Sequence, residues 1–264
     1  MKHFYKNPTF YILLFFLFIF LGPFFTTHTP LQSHLDKSLL SPGTEFFLGT
    51  DGNGRDIFSQ ILYGARISLL ISLIVVAICL FVGILIGFCA GYFGGLVDRI
   101  FLFVADVFQA FPGILLAIAI AAFLPPESGM IGLIVLLSFV GWVSYSRVVR
   151  AQVIEMKTRE FVLAAKTIGV GLRRLLFRHF LPNMAGPLVV QASFGMAGVV
   201  LAESTLSFLG LGLPESVPSL GKLMDSGVNL LLVAPHVSVF PGLMIVIFVL
   251  FFNFLGDRLR EKVT

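Results

Sequence analysis

Apolar residues run along this chain in long blocks, separated by short polar turns and by one extended basic interruption. The blocks fall at residues 10–25, 67–93, 100–124, 130–149, 184–202 and 237–255. A helix needs roughly twenty apolar residues to cross a hydrocarbon core about 30 Å thick. It must also satisfy every backbone polar group within itself. The pattern therefore predicts an all-α, polytopic membrane protein with six transmembrane helices. In the second block, Gly83, Gly87 and Gly91 recur every fourth residue, a bare strip on which another helix can pack closely. In the third block, Pro112 predicts a kink. Asp106 and Gln109 make the same block polar, and Asp106 reads equally as an interfacial or capping acid and as part of a pathway lining.

The basic interruption spans residues 146–183 and leads out of a block ending in Trp142, Ser144, Tyr145 and Ser146, an interface-like end. It holds eight Lys or Arg (Arg147, Arg150, Lys157, Arg159, Lys166, Arg173, Arg174, Arg178) against two acids, Glu155 and Glu160. The segment 26–66 holds three Lys or Arg and four acids. Positive loops stay on the cytoplasmic side, so the loop 147–183 is expected inside, with both termini, and the segments 26–66 and 204–236 outside. Within the loop, Phe161, Ala165 and Ile168 fall at i, i+4 and i+7 and predict one apolar face of a short helix. Ala164 keeps the neighbouring surface slim, and Gly169 is placed to end the helix in a left-handed turn. A second amphipathic run follows from Leu172, which Pro182 is expected to end.

Composition narrows the class. Hydrophobic residues make up 57%, charged residues 12%, and the mean hydropathy is +0.98, far from the balance of a soluble domain. The net charge of +4 lies largely in the central loop, so it reads as topology and not as nucleic-acid binding. Cys79 and Cys89 share one apolar block, ten residues apart, which leaves no local disulfide or metal clip. A cleaved leader is the alternative to a retained first span, but Thr26, Thr27 and His28 make a poor cleavage site, and a retained span is preferred. The chain contains no G-x-x-x-x-G-K-[ST] phosphate loop, so ATP hydrolysis is not expected of it. It has no H-E-x-x-H and no G-x-S-x-G, and Asp106 and Glu203 are too few acids for a catalytic pair. No catalytic residue, metal ligand or cofactor is assigned.

The run A-A-x-x-x-G at Ala164, Ala165 and Gly169, followed by Leu181 and Pro182, resembles the "EAA" loop of ABC-transporter permease subunits. Leu163 stands where the strict pattern has Glu, and His179 where it has Ile, which makes Glu160 the acid to test. Residues 48–66, LGTDGNGRDIFSQILYGAR, resemble the signature of the dipeptide, oligopeptide and nickel branch. A calcium loop is the other reading of this stretch. It fails because Arg55 occupies a ligand position and no Glu closes the loop. D-V-F-Q-A-F-P-G after Ala105, E-S-T-L-S-F-L-G-L-G from Glu203 and F-N-F-L-G-D-R-L-R near the end are also similar to that branch.

The resemblance implies a permease subunit of an ATP-driven importer in the bacterial inner membrane, forming half of a pathway for short peptides. Nickel chelates or another small solute are the alternative cargo. A secondary transporter is the alternative class, although no internal repeat is visible. The implied partners are a second permease subunit that is a different chain, two ABC ATPase subunits, an extracytoplasmic solute-binding protein and the lipid bilayer. The implied coupling residues are Glu160, Phe161, Ala164, Ala165, Ile168 and Gly169. Asp106, Gln109 and Glu203 are the candidates for pathway or gating. The chain divides into residues 1–66, the first span and outer amphipathic segment, and residues 67–264, the permease core. Residues 204–236 read either as a re-entrant, gate-proximal element or as an inert surface loop.

Overall fold

The computed structural model of the chain describes residues 8–26 and 28–263. Its helices are α1 (Pro8–Leu21), α2 (Ile57–Phe93), α3 (Gly95–Gln109), α4 (Gly113–Ala121) and α5 (Gly129–Met156). There follow α6 (Glu160–Thr167), α7 (Leu172–Leu175), a π turn (Leu176–Phe180), α8 (Leu181–Phe208), α9 (Leu220–Val228) and α10 (His236–Val263). No strand forms among the described residues beyond an isolated bridge between Thr50 and Asp56.

Four helical stretches are long and apolar enough to cross a membrane: 57–93, 129–156, 172–208 and 236–261. A fifth span is formed if α3 and α4 count as one, and these two meet at 79°. The break falls at Phe111 and Pro112, where proline lacks the backbone N–H that would continue the ladder and its neighbour is pushed out of the helical region. The predicted kink is thus a full break. α1 is shorter, and Phe15 stacks on Phe251 of α10 with ring centroids 3.8 Å apart. The structure therefore supports four to five spans plus this short apolar helix, where the apolar blocks predict six.

α2 is the axis of the molecule. At 37 residues it is about 55 Å long, well beyond the hydrocarbon thickness. It runs unbroken through residue 66, joining the amphipathic segment to the second apolar block. The glycine strip does what its spacing predicts. A Cβ on Gly83 would lie 2.6 Å from Tyr145 Cβ, and one on Gly87 would lie 2.4 Å from the Ser146 carbonyl oxygen. A Cβ on Gly91 would lie 2.9 Å from the Arg150 carbonyl oxygen, so α5 rests directly on the backbone of α2. The interface-like end of the block 130–149 is not the end of the helix. α5 continues to Met156, and Tyr145 and Ser146 are buried in its seam with α2. Large apolar side chains such as Phe81, Phe103, Phe123, Ile131 and Leu250 face outward, as a lipid-facing surface requires.

Candidate functional site

The hairpin between α5 and α8 is built on a small core of its own. Val162 and Ala165 of α6 pack with Val149, Val153, Met156, Leu175, Leu176, Phe180 and Phe88, apart from the main core of the bundle. Phe180 meets Phe88 edge-on at 5.4 Å and Tyr92 at 6.4 Å, fixing the hairpin to the end of α2.

α6 begins with Glu160 in its first turn, where a negative charge favours the helix dipole. It ends in a Schellman motif. The Gly169 N–H donates to the Lys166 carbonyl at 3.0 Å, and the Val170 N–H donates to the Ala165 carbonyl at 3.0 Å. Gly169 has φ +76°, with open space where a Cβ would stand, so backbone conformation alone requires glycine there.

The face differs from the one the spacing predicts. Ala165 is 4% exposed and turned into the hairpin's own core, whereas Ile168 is 81% exposed and Phe161 partly so. The helix stops at Thr167, so Ile168 leaves it before the i+7 position can fall in line. The surface offered outward is Glu160, Phe161, Leu163, Ala164 and Ile168. Pro182 does not end the second run, because the π turn just before it widens the ladder and α8 continues.

At the opposite end of α8, Glu203 is fully buried. Its carboxylate accepts from four serine hydroxyls: Ser68 of α2 at 2.6 Å, Ser207 at 3.0 Å, Ser219 at 3.2 Å and Ser204 at 3.4 Å. Four donors fill the acceptor sites of a carboxylate. Ser219 precedes α9, so the acid ties α2, α8 and α9 together. α9 lies deep in this seat. A Cβ on Gly221 would be 2.0 Å from the Ser204 carbonyl oxygen, and one on Gly227 would be 2.6 Å from Ser238 Oγ. Within the segment 204–236, α9 is therefore packed into the bundle, while Leu232 and Val233 beyond it are exposed.

Beside it, Asp51 accepts from the N–H groups of Asn53 and Arg55 at 2.8 and 2.9 Å and from Gln60 Nε2 at 2.9 Å. Asp56 caps α2 through the Ser59 N–H at 3.0 Å. Gly54, at φ +71°, would drive a Cβ to 1.7 Å from the His34 carbonyl oxygen. The GTDGNGRD run is a hydrogen-bonded knot that starts α2: both Asp51 oxygens and Asp56 Oδ2 are taken by the chain's own donors, while Asp56 Oδ1 is buried without one. Asp51, Arg55, Ser207, Ser219 and Lys222 line a cavity of about 840 Å³ at this end.

Asp106 stands apart from Glu203. It is exposed on α3 and pairs with Arg147 at 2.5 Å, and Gln109 is exposed on the same helix. Asp98 and Arg150 form a second, two-pronged pair between α3 and α5. Of the pathway candidates, only Glu203 is buried, and the three are not brought together in one cluster. The serines around Glu203 are visible in sequence only in part. Ser204 and Ser207 follow at i+1 and i+4 on one helix, but Ser68 is 135 residues away.

A helical bundle with several membrane-length spans, a basic hairpin between α5 and α8 and a buried acid at its far end defines a multi-pass membrane protein. Residues 83–263 match the family described as binding-protein-dependent transport system inner membrane component, and the chain belongs to that family. It is 37% identical to the dipeptide transport system permease protein DppC of Alkalihalophilus pseudofirmus, over 94% of this chain and 81% of that one. It is 34% identical to the oligopeptide transport system permease protein OppC of Bacillus subtilis, over 95% and 81%. It is 39% identical to the glutathione transport system permease protein GsiD of Escherichia coli, over 83% and 72%. Among solved structures, an inward-facing MetNI methionine ABC transporter contains a chain of the same fold. Its TM-score is 0.59 at 18% identity, covering 78% of this chain and 96% of that one.

Proposed function

We propose that this chain is the permease subunit of an ATP-driven importer of short peptides, contributing half of the translocation pathway. Family membership and relatives named for dipeptide, oligopeptide and glutathione transport support that reading. One structural observation carries it furthest. The hairpin holds a short, tightly capped helix whose outward face is apolar, on a basic loop otherwise suited to water. An exposed apolar face rimmed by charge is the mark of a protein contact.

In this reading the hairpin and both termini are cytoplasmic, and α6 seats in a separate ATPase subunit, one of two, through Glu160, Phe161, Ala164 and Ile168. The partner permease is a different chain, and a solute-binding protein delivers peptide to the opposite end, where Glu203 holds α9. ATP-driven closure of the ATPase pair moves α6. Because α6 is anchored through Phe180 to Phe88 and Tyr92, the motion passes into α2, the helix that reaches Glu203 through Ser68. Asp106 acts here as the structural partner of Arg147, and Glu203 serves gating as the joint that holds α9.

The test is uptake of a labelled dipeptide by vesicles holding the full assembly, with copurification of the ATPase on the tagged permease. ATP-dependent uptake with the ATPase bound is the expected result. Association without peptide uptake, but with uptake of a nickel chelate, would reassign the cargo.

A further inference from the structure

Two ammonium groups converge on one aromatic ring where the hairpin meets the bundle. Lys157, at the end of α5, donates to the Tyr92 carbonyl at 2.5 Å and lies 5.7 Å from the centroid of the Tyr92 ring. Lys166, on α6, lies 4.8 Å from the same centroid. Neither lysine has a carboxylate within ion-pairing distance among the described residues. The nearby Asp98 is already held by both prongs of Arg150. Like charges gathered without a counter-charge repel each other, and a bound anion removes that cost.

The space beside them has the shape and character for a particular anion. Lys157, Lys166, Thr158 and Asp98 border a cavity of about 550 Å³ whose remaining wall is mainly apolar, from Ala90, Ile154 and Leu163. Tyr92 and Phe93 end α2 at this level, and amphipathic rings favour the headgroup layer of a membrane. Directly beyond, Leu96, Val97 and Ile100 of α3 are exposed, so the cavity opens beside lipid-facing surface. Basic pockets between spans on the cytoplasmic side are suited to anionic headgroups.

We infer that this cavity binds one anionic phospholipid, its phosphodiester between Lys157 and Lys166 and the start of an acyl chain against Ile154 and Leu163. The inference rests on the cytoplasmic placement of the hairpin. The two lysines sit on different elements, one on α5 and one on α6, so a bound headgroup bridges the coupling helix to the span beneath it. The lipid would then brace α6 in the position from which it meets its partner.

The experiment uses the full chain in its assembled complex, extracted in mild detergent. Retained lipids are counted by native mass spectrometry, and the thermal midpoint is followed as phosphatidylglycerol or phosphatidylcholine is added. Wild type should retain one phosphatidylglycerol and gain stability with it, not with phosphatidylcholine. Lys166→Gln, whose ammonium makes no hydrogen bond, should weaken that preference roughly fivefold, and Lys157→Gln/Lys166→Gln further. Lys166→Arg should preserve it, separating loss of charge from loss of fold. Equal phosphatidylglycerol retention by wild type and the double variant would overturn the site. An equal shift with inorganic phosphate would overturn the lipid assignment. None of these outcomes depends on peptide uptake, so they stand apart from the cargo assignment.

Discussion

The hairpin and the Glu203 seat lie at opposite ends of α8 and dispose of their polar groups in opposite ways. The hairpin turns Glu160, Arg173, Arg174 and Arg178 outward and leaves Phe161, Leu163 and Ile168 among them in the open. The seat turns an acid inward and surrounds it with four hydroxyls, leaving none of its acceptor capacity for a visitor. An unpaired charge in an apolar interior is costly, so the inward acid had to be completed within the chain. An exposed apolar face costs less and can wait for a partner. The difference separates a surface made to be met from a joint made to hold.

The comparison can be broken most severely at the seam that connects the two regions. Gly87→Leu places side-chain atoms into the Ser146 carbonyl, where backbone cannot give way. Overpacking typically costs about 1–3 kcal/mol, and a clash with backbone lies at the upper end of that range. The expected result is a chain that no longer assembles, read as loss of the folded peak in detergent size-exclusion chromatography. A normal peak would mean that α2 and α5 are not in direct backbone contact.

Next in size is the joint itself. Glu203→Leu removes the common acceptor of Ser68, Ser204, Ser207 and Ser219 and leaves buried hydroxyls unpartnered, each costing roughly 1–3 kcal/mol. α9 should loosen, so that a cysteine at Leu223, buried now, reacts with a thiol reagent. Glu203→Gln, which still accepts through one oxygen, should give an intermediate rate. Unchanged protection in both variants would show that the glycine slots alone hold α9.

A smaller effect belongs to the turn after α6. Gly169→Val meets no steric neighbour and suffers only from the left-handed backbone, at about 1–2 kcal/mol. The fold should survive with a modest drop in thermal midpoint, while ATPase copurification falls as α6 loses its fixed end. Full copurification would place the docking surface elsewhere.

Much of this was readable in the sequence, and the failures share a cause. The glycine strip, the break at Pro112 and the stop at Gly169 are backbone rules that act within a few residues, and each holds. Pro182 did not stop a helix, because a π turn upstream absorbs what the proline removes. For Ala165, periodicity shows that a face is apolar without saying what covers it. In the folded chain Val153, Leu175 and Phe180 cover it first. The hydroxyl shell of Glu203 depends on Ser68 and Ser219 arriving from other helices, which no local pattern encodes. Similarly, the partner of Asp106 is Arg147, 41 residues on.

That revision supplies the sharpest test of the hairpin as the coupling surface. Ala165→Glu buries a charge in the hairpin's own core, so it should lower both stability and ATPase association. Ile168→Glu changes a side chain that is 81% exposed and touches no core, so it isolates the outward face. The measurement is ATPase copurification with the Ile168→Glu permease at matched membrane level, alongside its thermal midpoint. The expected result is an unchanged midpoint with ATPase association lost or cut at least tenfold. Wild-type association at an unchanged midpoint would contradict it.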